Sequence, residues 1–394
     1  MRSVSERFLS AVQGSNAPRV TANIWLDGRV VREGVSIVGG AVRADASGIV
    51  ESSLTLQFAE TTSTDSDEEI HAYGMEVNVL AGFDLEGSEE LVSMGWFEIR
   101  EVTIEDNWIW PTWLESLPDD EQKAFRASTV YSLQCEDRMS IVAESDFLAP
   151  LQPATGVGAW ATIGSLCAGI VSVLDPGFAA KTLPAGLIFE WSRLEAIKQI
   201  AKLWDGAYPV ITSDGQLTLT TDTSGDAVDN FGSRINIGNW VKAFDSRGLK
   251  NAVTFLGRTP EGKDIIGYAT ESSGLLKYGG PFGFRPTRQS SDLMDTQAKV
   301  DAAAATALQT LISRRTVSQE LVALWNPALE LRDHNLLVLP DEHWTARVTG
   351  YVLPLLGGAM SLTVEISNPV KVSSSASGEP GYGFDYYGGG GYGD

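Results

Sequence analysis

RVTANIWLDGRVV, residues 19–31, joins a strand pattern to a turn signal. Apolar side chains alternate with polar ones from Val20 to Leu26, which is the period of a half-buried β-strand. The Asp27-Gly28 dipeptide that follows favours a tight hairpin turn, because both residues tolerate positive φ. Val30 and Val31 resume the apolar character beyond the turn. The stretch therefore predicts a β-hairpin.

The same strand character recurs through most of the chain, between clusters of turn residues. A protein with many short strands and such turns folds as a barrel or a sandwich. The sequence thus predicts a mainly β protein with α+β insertions. The further predicted strands are Leu54–Phe58, Val77–Ala81, Phe97–Ile104, Thr129–Gln134, Ala252–Leu256, Ile265–Tyr268, Val317–Leu324, Leu336–Leu339, Ala346–Leu353 and Met360–Ile366.

Helical spacing interrupts the strand pattern at four places. Near the start, Val4, Phe8 and Val12 are four residues apart, with Leu9 beside them, which puts them on one face of a helix over Ser3–Gln13. The other predicted helices are one through Ile163, Leu166, Ile170 and Leu174 that ends before Pro176-Gly177, one capped by Ser192 and Glu195 that ends at Gly206, and an alanine-rich one over Thr296–Ile312.

These patterns divide the chain into four segments. Residues 1–147 hold the short helix and the first strand group, and residues 148–235 form a smaller α+β region. Residues 236–372 hold the second strand group with the inserted helix. The last stretch, 373–394, is rich in Gly, Ser and Tyr and has too few aliphatic residues to form a core.

The chain is strongly acidic, with 51 acidic and 29 basic side chains and a formal charge of −22. Such a surface repels phosphate backbones and anionic lipids, so tight DNA binding is disfavoured, although a channel that DNA slides through is compatible with it. The N-terminus has no signal-peptide pattern, and no apolar run is long enough to cross a bilayer. We therefore expect assembly in a cytoplasm without membrane insertion.

Catalytic and metal-binding patterns are weak throughout the sequence. His71, His334 and His343 lie in polar or loop contexts, and no serine lies in a nucleophile elbow. Cys135 and Cys167 have neither disulfide-framework nor zinc-site spacing. The glycine pairs lack the spacing of phosphate-binding loops. The sequence predicts no enzyme activity and no cofactor.

Three tryptophans, Trp108, Trp110 and Trp113, cluster in a stretch from Trp108 to Phe125 that we interpret as a long loop. They could plug a barrel, stack on sugars or form a protein interface. We favour the interface. Two other hypotheses stay open: a cell-wall glycan hydrolase, because 51 acids offer carboxylate pairs, and a carbohydrate-binding adhesin without catalysis.

Four stretches resemble the minor tail proteins of tailed bacteriophages. They are MRSVSERFLSAVQGS at the N-terminus, CEDRMSIVAESDFLAPLQ at 135–152, KYGGPFGFRPTRQSSDLMDTQAKVDAAAATAL at 277–308 and WNPALELRDHNLLVLP at 325–340. Two parts do not match this family: the insertion from Glu105 to Phe125 and the Gly/Tyr-rich tail. The residues that carry the resemblance, and are candidate assembly motifs, are Val4, Phe8, Leu9, Asp137, Arg138, Tyr278, Gly279, Gly280, Pro281, Phe282, Gly283, Asn326 and Pro327.

The resemblance implies a tail-hub or baseplate-hub protein in the virion. Its fold would be two tail-tube-like β-barrel domains flanking small mixed domains, with the alanine-rich helix against the second barrel. Members form homotrimers, and two barrels per chain match a trimer to a six-fold tube. The implied partners are a distal tail protein ring, the tape-measure protein and other tail-tip proteins, with DNA only in transit.

Overall fold

The computed structural model describes residues 1–14, 16–61, 69–85, 87–109, 125–221, 229–230, 249–259, 262–291, 294–313, 317–338 and 343–367. Strands predominate in this part of the chain, which confirms the predicted mainly β class. No helix in the described ranges combines the length and apolar character that a bilayer crossing requires.

The described residues contain seventeen strands and five helices. The helices are α1 (Glu6–Gln13), α2 (Met139–Glu144), α3 (Ala159–Cys167), α4 (Arg193–Ala201) and α5 (Gln297–Ser313). The strands are β1 (Pro18–Leu26), β2 (Arg29–Arg32), β3 (Ile37–Asp45), β4 (Ser52–Thr61), β5 (Met75–Asp84), β6 (Glu89–Ile109), β7 (Phe125–Asp137), β8 (Ala207–Ile211), β9 (Leu217–Thr221), β10 (Asp229–Asn230), β11 (Ala252–Arg258), β12 (Asp264–Thr270), β13 (Pro286–Ser290), β14 (Val317–Ala323), β15 (His334–Val338), β16 (His343–Pro354) and β17 (Met360–Ser367).

The predicted hairpin is present as β1 and β2. Its two turn residues, Asp27 and Gly28, have φ of 49° and 73°, so both adopt the left-handed conformation that a type I′ turn requires. Ala22 and Ile24 point into the core, while their neighbours on β1 are only partly buried. The alternation in the sequence therefore sets which face of the strand is buried.

One twelve-stranded sheet, called the main sheet here, contains strands from both the first and the second strand group. Its order is β10-β15-β16-β3-β4-β7-β6-β5-β1-β2, and β17 pairs with β16 and with β14. The two strand groups meet where β3 pairs antiparallel with the second half of β16, from Asp45 opposite Gly350 to Ala41 opposite Pro354. In the described residues β2 pairs neither with β10, the strand at the other end of this order, nor with β14. Closure into barrels therefore stays a prediction.

A single hydrophobic core follows the main sheet. It contains Phe58 and Phe97 from the first strand group and Leu353 and Val364 from the second, all of them fully buried. Phe8 of α1 belongs to the same core. Burying such side chains contributes about 2 kcal/mol each, so α1 and the two strand groups stabilise one another.

A second core lies in residues 139–221, which we call the middle module. Helices α2, α3 and α4 pack with the β8–β9 hairpin around Ile163, Ile197 and Leu217. The capping prediction is confirmed, because the Ser192 hydroxyl accepts a hydrogen bond from the Glu195 backbone N–H at 3.3 Å. The helix predicted to reach Leu174 is too long, since α3 ends at Cys167 and Gly169 turns the chain with φ of 77°.

A third unit, the small module, comprises the described residues from 249 to 313. Its three-stranded sheet has the order β12-β11-β13, and α5 packs against β11 and β12. Gly257 and Gly267 allow this close approach, because a Cβ at either position would meet Val300 within 3.0 Å. Within the described residues β11, β12 and β13 form a sheet separate from the main sheet, while Thr306 and Thr310 of α5 also line a cavity with residues of β16 and β17. The predicted position of the alanine-rich helix against a second barrel therefore stays a prediction.

The predicted loop from Trp108 to Phe125 is also wrong at both ends. Trp108 and Ile109 continue β6, and Phe125 begins β7, with Ile109 paired opposite Phe125. Residues 110–124, including Trp110 and Trp113, lie outside the described residues. Strand pairing reaches Trp108 and Ile109, because β6 and β7 support each other along a long antiparallel pair.

Candidate functional site

The N-terminal segment and the Asn326-Pro327 stretch, two of the four resembling regions, contact each other. The Arg2 guanidinium donates to the carbonyl oxygens of Pro327 at 2.8 Å and Leu329 at 2.6 Å. The Asn326 carboxamide oxygen accepts the Ala328 N–H at 3.0 Å, which holds the turn that presents these carbonyls. Charge-assisted bonds of this kind are stronger than neutral ones, so they fix the N-terminal segment to the segment that follows β14.

Aromatic packing reinforces this junction. The Phe8 ring meets Phe83 of β5 edge-on at 5.1 Å, and Phe83 meets Trp325 edge-on at 5.4 Å. The Trp325 indole donates to the carbonyl of Pro354 at 2.8 Å. Val4 packs against the same core, whereas Leu9 is half-buried on α1. The contacts of Phe8 and Asn326 are therefore internal to the chain.

Arg138 ties the middle module to the main sheet. Its guanidinium forms two bonds to the Glu76 carboxylate, at 2.6 and 2.7 Å, and donates to the Gly215 carbonyl at 3.1 Å. It also lies 4.6 Å above the Trp96 ring. Gly215 is required here, because a Cβ would meet the Arg138 guanidinium at 2.7 Å. One side chain thus joins β5, β6 and the β8–β9 turn.

Arg332 forms a second tie, which sequence reasoning missed. Its guanidinium makes a bidentate ion pair with Glu51, with one bond at 2.9 Å, and also contacts the Tyr208 hydroxyl on β8. Burial lowers the pKa of Arg332, but the hydrogen bonds and charge of Glu51 outweigh this effect and raise it overall. The ion pair therefore stays charged and links the second strand group to β8 and to the start of β4.

Beside Arg332 lies a cavity of about 360 Å³, lined by Trp96, Asp137, Arg332 and residues of β8 and β9. The Asp137 carboxylate accepts the backbone N–H groups of Ser52 at 2.7 Å and Met139 at 2.8 Å. It therefore ends β7 and starts the turn into α2. Burial raises the pKa of Asp137 to about 6, despite these bonds.

The raised pKa of Asp137 predicts a specific pH dependence of stability. The folded pKa of about 6 exceeds the unfolded value of 3.8, so the folded state binds the proton first as pH falls. As pH falls from about 6 to about 4, protonation of this carboxyl in the folded state therefore raises the free energy of unfolding by an amount on the order of 3 kcal/mol. Denaturant unfolding at several pH values should show this gain in the unmodified chain and not in Asp137→Asn. Parallel pH curves for the two proteins would contradict it.

The glycine loop from Tyr278 to Gly283 is organised by Asn251. The Asn251 carboxamide donates to the Leu276 and Gly283 carbonyls at 3.1 and 2.9 Å, and its oxygen accepts the Arg285 N–H at 2.9 Å. Gly279 and Gly283 have φ of 77° and 82°, which only glycine adopts without strain. Tyr278 packs edge-on against Phe284 at 4.9 Å, Arg285 lies 4.2 Å from the Phe282 ring, and Gly280 and Pro281 complete the loop.

Two groups of exposed apolar side chains lie elsewhere on the chain. Trp108 is 58% exposed, and Ile104 on the same strand is exposed as well. On the middle module, Leu148 is fully exposed and Trp191 is 59% exposed, with Leu151 and Ile188 nearby through the contact of the 146–151 and 188–192 segments. Exposed apolar groups of this size are typical of interaction surfaces. The middle-module group was missed, because its members are far apart in sequence.

The predicted absence of a catalytic site stays a prediction. Among the described residues, no group of three His, Cys, Asp or Glu side chains lies close enough to hold a metal ion. His71 packs beside Tyr73, and its ring nitrogen accepts the Tyr73 N–H at 3.2 Å. His334 and His343 belong to β15 and β16.

Comparison with solved structures identifies proteins of similar fold. A tail protein from Neisseria meningitidis MC58 superposes with a TM-score of 0.60 at 14% identity, over 88% of this chain and 96% of that one. The prophage MuSo2 43 kDa tail protein from Shewanella oneidensis gives 0.55 at 10% identity, over 88% and 98%. Prophage tail protein gp18 from Listeria monocytogenes EGD-e gives 0.50 at 8% identity, over 88% and 94%.

These likenesses extend over nearly the whole length of each tail protein. The resemblance drawn from the sequence is therefore confirmed at the level of the fold. No protein-family model matches the sequence, and no curated protein matches it either.

Proposed function

We propose that this chain is a structural tail-tip hub subunit of a bacteriophage. The observation that carries the proposal is the fold shared with three phage or bacterial tail proteins over 88% of the chain. The joining of the first and second strand groups through β3 and β16 supports it, because it makes one continuous sheet of two strand-rich regions. The two strand groups would be the two tail-tube-like barrel domains of the hub.

In this proposal three copies form a ring with six quasi-equivalent strand-rich domains. Such a ring matches a six-fold tube on one side and a three-fold tip on the other. It would join the tail tube or distal tail ring to the tip complex, contact the tape-measure protein, and pass DNA during ejection. The formal charge of −22 supports a channel along which DNA moves without binding.

The role is geometric and needs no catalysis. The chain would be assembled in the host cytoplasm and then remain in the tail tip of the virion. The exposed Leu148 and Trp191 support this view, because a surface of that kind is normally covered in the functional state. The same surface would contact another tail component or another copy.

Light scattering of the purified chain tests the trimer. We expect a mass close to three times 42.3 kDa at micromolar concentrations, and a three-fold ring in electron micrographs. A strictly monomeric chain over the whole concentration range, and in tail extracts, would contradict the proposed ring.

A further inference from the structure

The tip of the β8–β9 hairpin lies against the main sheet and is held there through its backbone. The Ser93 hydroxyl of β6 donates to the Ser213 carbonyl at 2.7 Å, and the Arg138 guanidinium donates to the Gly215 carbonyl at 3.1 Å. The Trp96 ring lies directly beside the turn, because a Cβ at Gly215 would meet it at 2.9 Å. Two backbone carbonyls and one ring contact therefore position the tip.

The two arginines that reach this hairpin are both paired with carboxylates of the main sheet. Arg138 makes two bonds to Glu76, and Arg332 makes a bidentate pair with Glu51. Arg332 contacts the hairpin through the Tyr208 hydroxyl, which is a neutral group. Movement of the hairpin away from the sheet would therefore leave both ion pairs intact, and it would avoid the large cost of leaving a buried charge without its partner.

Two cavities lie between the hairpin and the main sheet. The cavity of about 360 Å³ has Val210 and Thr220 of the hairpin on one side and Trp96 of the main sheet on the other. A second cavity, of about 960 Å³, is lined by Pro209 of β8 and by Thr349 of β16. Side chains across a cavity lack the close contacts that stabilise a packed interior, so apolar packing contributes little at this junction.

Helix α2 is held to the main sheet at the opposite end of the middle module. The Ser140 hydroxyl donates to the Glu98 carboxylate at 3.1 Å, and Glu144 pairs with Arg100 of β6. α2 directly follows Asp137, where the chain passes from β7 into the module. Within the described ranges, the cores of the main sheet and of the module share no side chain. The module therefore has its own core, a fixed end at α2 and a weakly held end at the hairpin tip.

We propose that the tip of the β8–β9 hairpin is a latch, and that the middle module swings about α2 as one body when the latch opens. The latch consists of the contacts at Ser213, Gly215 and Tyr208. A hinge at the end of a strand needs only a few residues to absorb the rotation. The docked and open states differ by a few polar contacts, so the open state is a minor population of the native chain. Opening exposes the Trp96 ring and the walls of both cavities. The latch lies within one chain and does not depend on the proposed tail function.

Gly215→Ala opens the latch selectively. The added Cβ would meet the Arg138 guanidinium at 2.7 Å and the Trp96 ring at 2.9 Å, so the docked turn no longer fits. Gly186→Ala is the matched control on the same module. The φ angles of Gly215 and Gly186 are 74° and 79°, so alanine introduces the same backbone strain at both positions, but a Cβ at Gly186 meets no atom within 4 Å.

The distance between two spin labels measures the position of the module. Nitroxides are attached to Lys181→Cys on the module and Glu89→Cys on the main sheet, both exposed positions, while the native Cys135 and Cys167 are buried. Dilution with unlabelled chain removes distances between copies. Pulsed electron spin resonance should show one dominant distance in the chain with both glycines intact. A second distance should be populated roughly fivefold more in Gly215→Ala than in Gly186→Ala.

The same distances can overturn the latch. Equal distributions in the two glycine variants, with both folded by thermal unfolding, would show that the hairpin tip does not hold the module. If Gly215→Ala does not fold, Ser93→Ala takes its place, because it removes one donor to the hairpin and adds no backbone strain. Ser93→Ala should raise the second population roughly twofold, and an unchanged distribution would overturn the latch.

Discussion

Arg332→Met should lower the free energy of unfolding by about 3 kcal/mol, because it leaves the carboxylate of Glu51 without its partner in a partly buried place. The two side chains are only 17% and 15% exposed, and the variant also loses the contact with Tyr208. Three parts of the chain meet at this side chain, so the loss should also loosen the middle module. Denaturant unfolding followed by circular dichroism measures the free energy, and hydrogen exchange at β8 measures the loosening.

Two further variants make this prediction specific. Glu51→Gln in the Arg332→Met background removes the unpaired charge and should recover part of the loss. Lys198→Met breaks an exposed ion pair with Glu195, whose side chains are 33% and 68% exposed, and should change stability by no more than about 0.5 kcal/mol. A decrease in the free energy of unfolding below about 1 kcal/mol for Arg332→Met would mean that Glu51 is hydrated by solvent and that the Arg332–Glu51 ion pair contributes little.

Phe8→Ala should have a comparable or larger effect, a loss of about 3 to 5 kcal/mol. The ring is fully buried and contacts Phe83, which in turn contacts Trp325, so its removal leaves a cavity where α1, β5 and the segment after β14 meet. Leu9→Ala on the same helix is the matched control. Leu9 is half-buried, so its truncation should be much less costly.

One outcome of comparing the stability losses of these two helix variants would contradict the proposed anchoring role of Phe8. Equal losses for Phe8→Ala and Leu9→Ala would indicate that α1 contributes by helix propensity alone and not by anchoring the junction. Guanidinium unfolding of both variants, with tryptophan fluorescence and circular dichroism recorded together, measures the losses and shows whether the transition stays two-state.

Local features of the fold could be predicted from the sequence, because their causes lie within a few residues. The Asp27-Gly28 turn follows from the tolerance of both residues for positive φ, and the Ser192–Glu195 cap follows from a single hydrogen bond across one helical turn. The alternation of Val77, Val79 and Ala81 gave β5, since one face of that strand is wholly buried.

Features that depend on distant residues could not be predicted. Arg138 contacts Glu76 from 62 positions away, and Arg332 contacts Glu51 from 281 positions away. Nothing in the neighbourhood of either arginine indicates its partner. That β11 and β12 lie in a sheet separate from the main sheet could not be predicted for the same reason, because strand periodicity does not specify which sheet a strand joins.

The resembling stretches include residues at two junctions of the fold, but the sequence does not indicate which residues their side chains contact. Asp137 and Arg138 lie at the junction of the main sheet and the middle module, and Asn326 lies in the turn that the N-terminal Arg2 contacts. Their contacts are internal, so they organise the chain that presents the exposed surfaces. Those surfaces contain Trp108, which the sequence singled out, and Tyr268 and Trp191, which it did not.

Cryo-electron microscopy of purified phage particles that carry this gene tests the central claim most directly. The account predicts that the chain is present in the tail as a three-fold ring at the distal end of the tube, with density that fits the main sheet and both modules. Complete, infectious tails that lack the chain would contradict it.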